Sequence, residues 1–256
     1  MRKLFVLVIL LSLIFNGCNK PSTEEASHSL LIIGDLRNLG GQSYQDAVNR
    51  VLEQIQQHPE YRQIKVLRLG DNTGSAFRAN SVSVDMPQPF DCEAELLAEA
   101  PMKVRMVKTE KEEYLKQNRS RCDQKQSQYQ VKQREQLNQL RTLLLAAPGQ
   151  RVCLSLSDIG RRLVREMETG KQERTTVVLI STGINTPAGC ADKSLDTVSL
   201  PDKVRMKIIQ LPLLGQNNLH DQRTEKLHTV FPQAETIPAA NTERVFSSEA
   251  PAMAKR

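Results

Sequence analysis

The stretch HSLLIIGDL, residues 28–36, is a continuous apolar run closed by Gly34 and Asp35. Unbroken apolarity over that length predicts a strand buried on both faces, because a strand with one wet face would alternate. Strands of that kind occur in parallel sheets covered by helices, and the chain that follows supplies the helices. After Gly40 and Gly41, the residues Ala47, Val48, Val51, Leu52 and Ile55 recur at helical spacing up to about His58, with Ser43 as the expected cap. A second strand is expected at 64–69 (IKVLRL), ending in Gly70 and Asp71, and a third at 81–84 (SVSV).

From about 91 to 149 the chain becomes charged, rich in Gln and poor in β-branched runs, as long helices are. Leu115, Cys122 and Tyr129 fall seven apart, and Leu137, Leu140 and Leu144 continue one narrow apolar seam. This segment reads as a helical insertion, with Pro101 dividing a short helix from a long one. Between Lys103 and Arg141 stand eleven Lys or Arg against five Asp or Glu, so it is also a basic arm. Alternation then resumes: Ser157 and Asp158 open an amphipathic helix to about Glu168, strands follow at 175–181 and 204–212, a helix at 220–231, and a short strand at 235–237. The pattern predicts an α/β fold, a mostly parallel sheet flanked by helices of the type A or Rossmann-like kind, with the helical insertion. Any site belongs on the loops at the strand C-termini.

Upstream of 28 the sequence has a different character. Arg2 and Lys3 precede the apolar run LFVLVILLSLIF (4–15), about a dozen residues and short of the roughly 20 needed to span a bilayer. The pattern is that of an export signal. Its end, Asn16-Gly17-Cys18, resembles a bacterial lipoprotein signal, although Phe15 stands where that family usually has Leu. The resemblance implies cleavage after residue 17 and acylation of Cys18, with palmitate among the chains, and two or more acyl chains hold a protein stably on a membrane. It places the chain in the cell envelope, and Asn19, which is not Asp, favours the outer membrane over the inner. The polar stretch NKPSTEEAS (19–27) reads as a tether within 18–27, the folded domain as 28–240, and 241–256 as a flexible tail.

Removal of residues 1–17 leaves about 239 residues and lowers the formal charge from +6 to about +4. In an exported protein this mild excess points to anionic lipid or an acidic partner, not to nucleic acid. Trp is absent and aromatics make up 4 %, so the core must be built from Leu, Ile and Val, and a carbohydrate platform is disfavoured. Beyond Cys18 there are four cysteines, Cys92, Cys122, Cys153 and Cys190, an even number suited to disulfides in an oxidising compartment. Their spacings match no zinc pattern, and three pairings are open.

Three stretches resemble a von Willebrand factor type A domain, over roughly residues 28–240 without the insertion. LLIIGDLRNL places Asp35 on that family's first acid, SDIGRRL (157–163) follows its Thr-x-Ile-Gly-x-x-Leu pattern, and VVLISTGIN (177–185) follows its strand ending in Thr-Asp-Gly-x-Asn. The resemblance implies a divalent cation such as Mg²⁺ held through oxygen ligands, for which Asp35, Ser157 and Thr182 are the matching positions. Arg37 and Leu39 replace two serines of the pattern and Thr182 replaces its second acid, so what remains is a vestigial metal site and a loop face for binding a partner. On this arrangement Cys153 and Cys190 flank two loops at one sheet edge and would pair, leaving Cys92 with Cys122 to tie the insertion.

A second class is set beside this one. IIGDLRN and LRLGDNTGS resemble the Gly-Asp motifs of metallophosphoesterases, with Asp35 and Asp71 as the acids. That chemistry also needs histidines to complete two metals, and none of His28, His58, His220 and His228 stands in such a motif. No Gly-x-Ser-x-Gly elbow or Gly-Lys phosphate loop is present, so neither nucleophilic catalysis nor a nucleotide is expected. The expectation is a membrane-anchored, non-enzymatic binding or assembly module with an envelope protein as partner and no cofactor.

Overall fold

The apolar run at 28 forms β1 (His28–Asp35), whose residues Leu30 to Ile33 are 3 % exposed or less. A computed structural model describes residues 28–35, 41–69, 82–88, 90–146, 153–169, 174–186, 189–191, 193–213 and 219–247. Five further strands join β1: β2 (Tyr61–Leu69), β3 (Val82–Asp85), β4 (Thr175–Ser181), β5 (Val204–Gln210) and β6 (Glu235–Pro238). The order across the sheet is β3-β2-β1-β4-β5-β6, and every neighbouring pair is parallel except β2 with β3. β1 is therefore central, with Ile32 level with Val66 on one side and Val178 on the other.

Alternate residues of β1 enter two separate cores. Leu30 and Ile32 join Val66, Val178 and Ile209 beneath α1 (Gln42–Gln57), whose Ala47, Val48, Val51, Leu52 and Ile55 form the stripe read from the sequence. Leu31 and Ile33 join Leu67, Val177 and Ile208 beneath α6 (Leu156–Thr169) and α7 (His220–Val230). Each such side chain contributes about 1.5–3 kcal/mol on burial, which explains why the central strands carry no polar alternation. α1 starts after Gly41, whose φ of +52° suits glycine, and no side chain caps it. Ser43 thus lies inside the helix and does not serve as its cap, because the chain reaches helical geometry one residue before it.

Between β3 and α6 the insertion forms four helices: α2 (Cys92–Glu99), α3 (Met102–Met106), α4 (Lys108–Gln117) and α5 (Arg119–Leu145). Asp91 caps α2 by accepting from the Ala94 amide at 3.0 Å. The division expected at Pro101 is present, and further breaks fall at Val107 and Asn118. Leu115, Cys122 and Tyr129 are only half-buried, whereas Leu140 and Leu144 at the end of α5 are fully buried against α1. The arm is held to the body by that last stretch, where the Tyr44 hydroxyl also donates to the Leu144 carbonyl at 3.0 Å.

The crossover from β4 to β5 contains no helix among its described residues. Val198 and Leu200 from this connection fill the second core in a helix's place, and the Val198 amide donates to the Val230 carbonyl at 2.8 Å. The connection lies so close to α6 that a Cβ at Gly160 would stand 2.6 Å from Val198 Cγ2 and 2.9 Å from Phe231 Cε1. At the other end, the stretch from 241 that reads as a tail is packed through Ser247. A 3₁₀ turn (Ala239–Arg244) buries Thr242, Val245 is 0 % exposed, and Phe246 lies against His58 and Tyr61. Among the described residues no helix is long and apolar enough to cross a membrane.

Candidate functional site

Asp35 ends β1 and Ser181 ends the neighbouring β4, so the parallel pairing brings both to the C-terminal edge of the sheet. Ser181 Oγ donates to Asp35 Oδ2 at 2.6 Å, and in turn accepts from the Gly183 amide at 3.1 Å. Both side chains are buried, Asp35 at 1 % exposure. Arg37, the residue set against Asp35 in the sequence, lies outside the described residues, as do Leu39 and Asp71. Thr182 is equally buried, and its Oγ1 has no hydrogen-bond partner. Its carbonyl accepts from Arg223 Nη1 at 3.0 Å, while Arg223 Nε donates to the Leu219 carbonyl at 3.3 Å. Burial pushes the Arg223 guanidinium below its ordinary pKa.

The beginning of α6 forms the second half of this edge. Ser155, not Ser157, caps the helix: the Ser155 amide donates to Asp158 Oδ2 at 3.0 Å and the Asp158 amide to Ser155 Oγ at 3.1 Å. This reciprocal box satisfies two donors that a helix start leaves unpaired. Leu156, the next residue, donates its amide to Asn185 Oδ1 at 3.2 Å, so the last residue of the stretch 177–185 closes the helix of 157–163. Ser157 is therefore one step inside, fully buried, and its hydroxyl is turned onto the β4–β5 connection. It accepts from the Asp196 amide at 2.8 Å and donates to the Asp196 carbonyl at 3.1 Å.

Asp158 is the electrostatic centre of the edge. Partial burial opposes its charge, but Lys193 at 2.8 Å, the Ser155 amide and Arg161 at 2.9 Å outweigh it and hold the carboxyl well below the usual carboxylate range. Arg161 also reaches Asp196 at 2.5 Å, and Lys193 reaches the Cys153 carbonyl at 3.3 Å. A disulfide joins Cys153 to Cys190 and a second joins Cys92 to Cys122, each with Cα atoms 5.6 Å apart. The start of α6 and the chain after β4 are thus fastened by a disulfide, two hydrogen bonds from backbone amides and a chain of ion pairs.

The divalent cation implied by the type A resemblance can be tested against these atoms. Such a cation needs six or more oxygens, several of them charged. Of the three matching positions, Ser157 has its hydroxyl engaged by both groups of Asp196, and the Asp35 carboxylate already accepts from Ser181. Thr182 Oγ1 is the remaining uncommitted oxygen, and the Thr182 carbonyl faces a guanidinium. The donor set does not fit a divalent cation. Among the described residues no group of three or more His, Cys, Asp or Glu is placed to hold a metal.

The basic arm has a more specific arrangement than its charge count suggests. Lys111, Arg121 and Lys125 pair with Glu93, Glu99 and Glu95 of α2, and Lys103 pairs with Glu110 at 2.7 Å. Glu93, Glu95 and Glu99 lie just before the counted segment, so the short helix offsets part of its charge and holds α4 and α5 alongside.

Sequence reasoning placed Asp35, Ser157 and Thr182 at one edge but missed Ser155, Ser181, Asn185, Lys193, Asp196 and Arg223. Ser155-x-x-Asp158 was findable as a capping pattern; the others hold this edge together across 29 to 146 positions and leave no local signal. Compared with known proteins, the chain matches no family model and no curated sequence.

Proposed function

We propose that this chain is a lipid-anchored envelope protein whose type A-like domain is a metal-free, non-enzymatic module for binding or assembling another envelope protein. The observation that carries the reading is the fate of Ser157. The three stretches that resemble the type A pattern meet at one sheet edge, yet the hydroxyl that would serve a cation there fastens the β4–β5 connection through Asp196. The edge is built as a rigid surface. Among the described residues, Asp158, Arg161, Lys193 and Asp196 pair with one another, and its loops are disulfide-linked. The anchor rests on the leader, where Cys18 lies outside the described residues, and the outer membrane is favoured by Asn19.

Thermal melting of the full chain with and without millimolar Mg²⁺, Ca²⁺ or Mn²⁺ tests the metal-free edge, since a ligand that binds only the folded state raises its melting point. No shift is expected. A rise of several degrees that disappears in Asp35→Ala would restore a metal-dependent binder. Turnover of a generic phosphoester would restore the phosphoesterase alternative that rests on Asp35 and Asp71. Crosslinking and recovery from envelope membranes should yield a protein partner whose capture depends on the edge or on the segment 91–149, and capture unchanged by altering both would refute the module.

A further inference from the structure

The opposite edge of the sheet, where β1, β4 and β5 begin, carries a pocket of about 380 Å³ that the proposed function leaves unused. Arg174, Lys203 and Arg205 line it, and none of their side chains has an ion-pair partner among the described residues. Arg174 and Arg205 are exposed. Lys207, the fourth cation there, is committed to Glu235 at 3.0 Å and to the carbonyls of Arg244 and Ser247. Two acids share the pocket: Asp202, and Glu60, which is held by His58 at 2.9 Å. Tyr61 and Phe246 give it an aromatic wall, their rings 5.3 Å apart.

We infer that this edge docks the domain onto an anionic phospholipid surface through Arg174, Lys203 and Arg205. Two independent observations meet here. His28, the first residue of β1, is itself on the pocket, so the chain enters the fold at this edge. Ten peptide steps separate Cys18 from His28, a reach of at most about 36 Å even when fully extended. An acyl group on Cys18 therefore holds the cationic edge within about 36 Å of the lipid headgroups. Charge supplies the second argument, because each Lys or Arg beside an anionic bilayer strengthens binding by about fivefold, and three by about 100-fold. The orientation leaves the Asp35 edge and its stapled loops facing away from the membrane, where a partner can reach them. The inference rests on the anchored reading above.

The test uses the full chain as Cys18→Ser, so that the leader contributes equally to every sample and cancels in the ratio. Its partitioning onto vesicles of seven parts phosphatidylcholine to three parts phosphatidylglycerol is compared with that of Arg174→Gln/Lys203→Gln/Arg205→Gln in the same background. The expected loss is about 100-fold at low salt, shrinking to a few-fold in 0.5 M salt as screening shortens to a few ångströms. Should the half-buried Lys203 be needed for folding, Arg174→Gln/Arg205→Gln alone should lose about 30-fold. Equal partitioning of variant and parent, or equal binding to pure phosphatidylcholine, would overturn the docking surface. Binding of polyglutamate at these residues without vesicle binding would also overturn it and assign the patch to an acidic protein. Labelled fatty acid that fails to incorporate at Cys18 in the native chain would remove the anchor instead, an outcome read separately from the vesicle ratio.

Discussion

Replacing Gly34 with Ala should destabilise the protein through Tyr44, and replacing Tyr44 with Phe should remove most of that penalty. Gly34 precedes Asp35 on the central strand, between Arg68 of β2 and Ile180 of β4, and a Cβ there would overlap the Tyr44 hydroxyl. That hydroxyl is buried and donates to the carbonyl of Leu144 at 3.0 Å, serving one of the last four carbonyls of α5 that have no partner within the helix. Alanine must push it away. Overpacking costs about 1–3 kcal/mol, and stranding the carbonyl costs about 1–3 kcal/mol more, against about 0.4–1 kcal/mol regained from a stiffer unfolded chain. Gly34→Ala should therefore lose about 2–4 kcal/mol and Tyr44→Phe about 1–3 kcal/mol. In the double variant the nearest ring atom, Cζ, stands 3.5 Å from the new Cβ, an ordinary contact, so its stability should approach that of Tyr44→Phe alone. The coupling energy is expected at about 1.5–3 kcal/mol, measured by urea unfolding of the four proteins followed by circular dichroism. Burial pushes the Tyr44 hydroxyl far above its ordinary pKa, which keeps it a donor, so the coupling should be unchanged between pH 5 and 9. Additivity within about 0.5 kcal/mol would refute the claim that the glycine exists to admit this hydroxyl.

Other outcomes follow from the same contacts. Loss of the Cys153–Cys190 bond in Cys153→Ala/Cys190→Ala reopens a loop with 37 residues of separation, which loop-closure entropy sets at about 3.8 kcal/mol, to be read as a lower urea midpoint with a slope that rises as the unfolded chain expands. Asp158 has a folded-state pKa held below the unfolded value of about 3.9, so its contribution is complete above about pH 5 and is lost as pH falls below 4 toward the folded pKa. Asp158→Asn should accordingly cost about 1.5–3 kcal/mol at pH 7 and flatten the acid limb of a melting-point profile; an acid limb of the same steepness would contradict the assignment. Gly160→Ala drives a methyl into Val198 and Phe231 and should cost about 1–3 kcal/mol, and Val198→Ala in the same chain should restore part of it.

How much of this was legible beforehand depends on how far apart the cooperating residues lie. The α1 stripe and the buried runs of β1, β2, β4 and β5 could be read directly, because strand and helix periods are written in residues two to four positions apart. The insertion was visible from its composition, and its apolar seam identified Leu140 and Leu144, although the seam gave no hint that only its end would be buried. Ser43 as the cap of α1 and Ser157 as the opening of α6 were both read two residues past the actual caps, Gly41 and Ser155. A cap is chosen by where helical backbone begins, which at α1 follows the positive φ of Gly41 and at α6 the reciprocal bonds of Ser155 and Asp158.

The amino-acid order by itself determined the layered α/β architecture, the existence and place of the arm, and the convergence of residues 35, 157 and 182 on one edge. Local apolar periodicity suffices for the first two, and the third was implied by the type A resemblance. What the three residues do there was decided by tertiary structure alone. Ser181 reaches Asp35 across 146 positions, Asp196 occupies Ser157 across 39, and Arg223 covers the Thr182 carbonyl across 41. A side-chain oxygen can be spent on a neighbour or left for a ligand with no change in its own sequence surroundings. Only the packed chain, which fixes which donors stand within 3 Å, makes that choice.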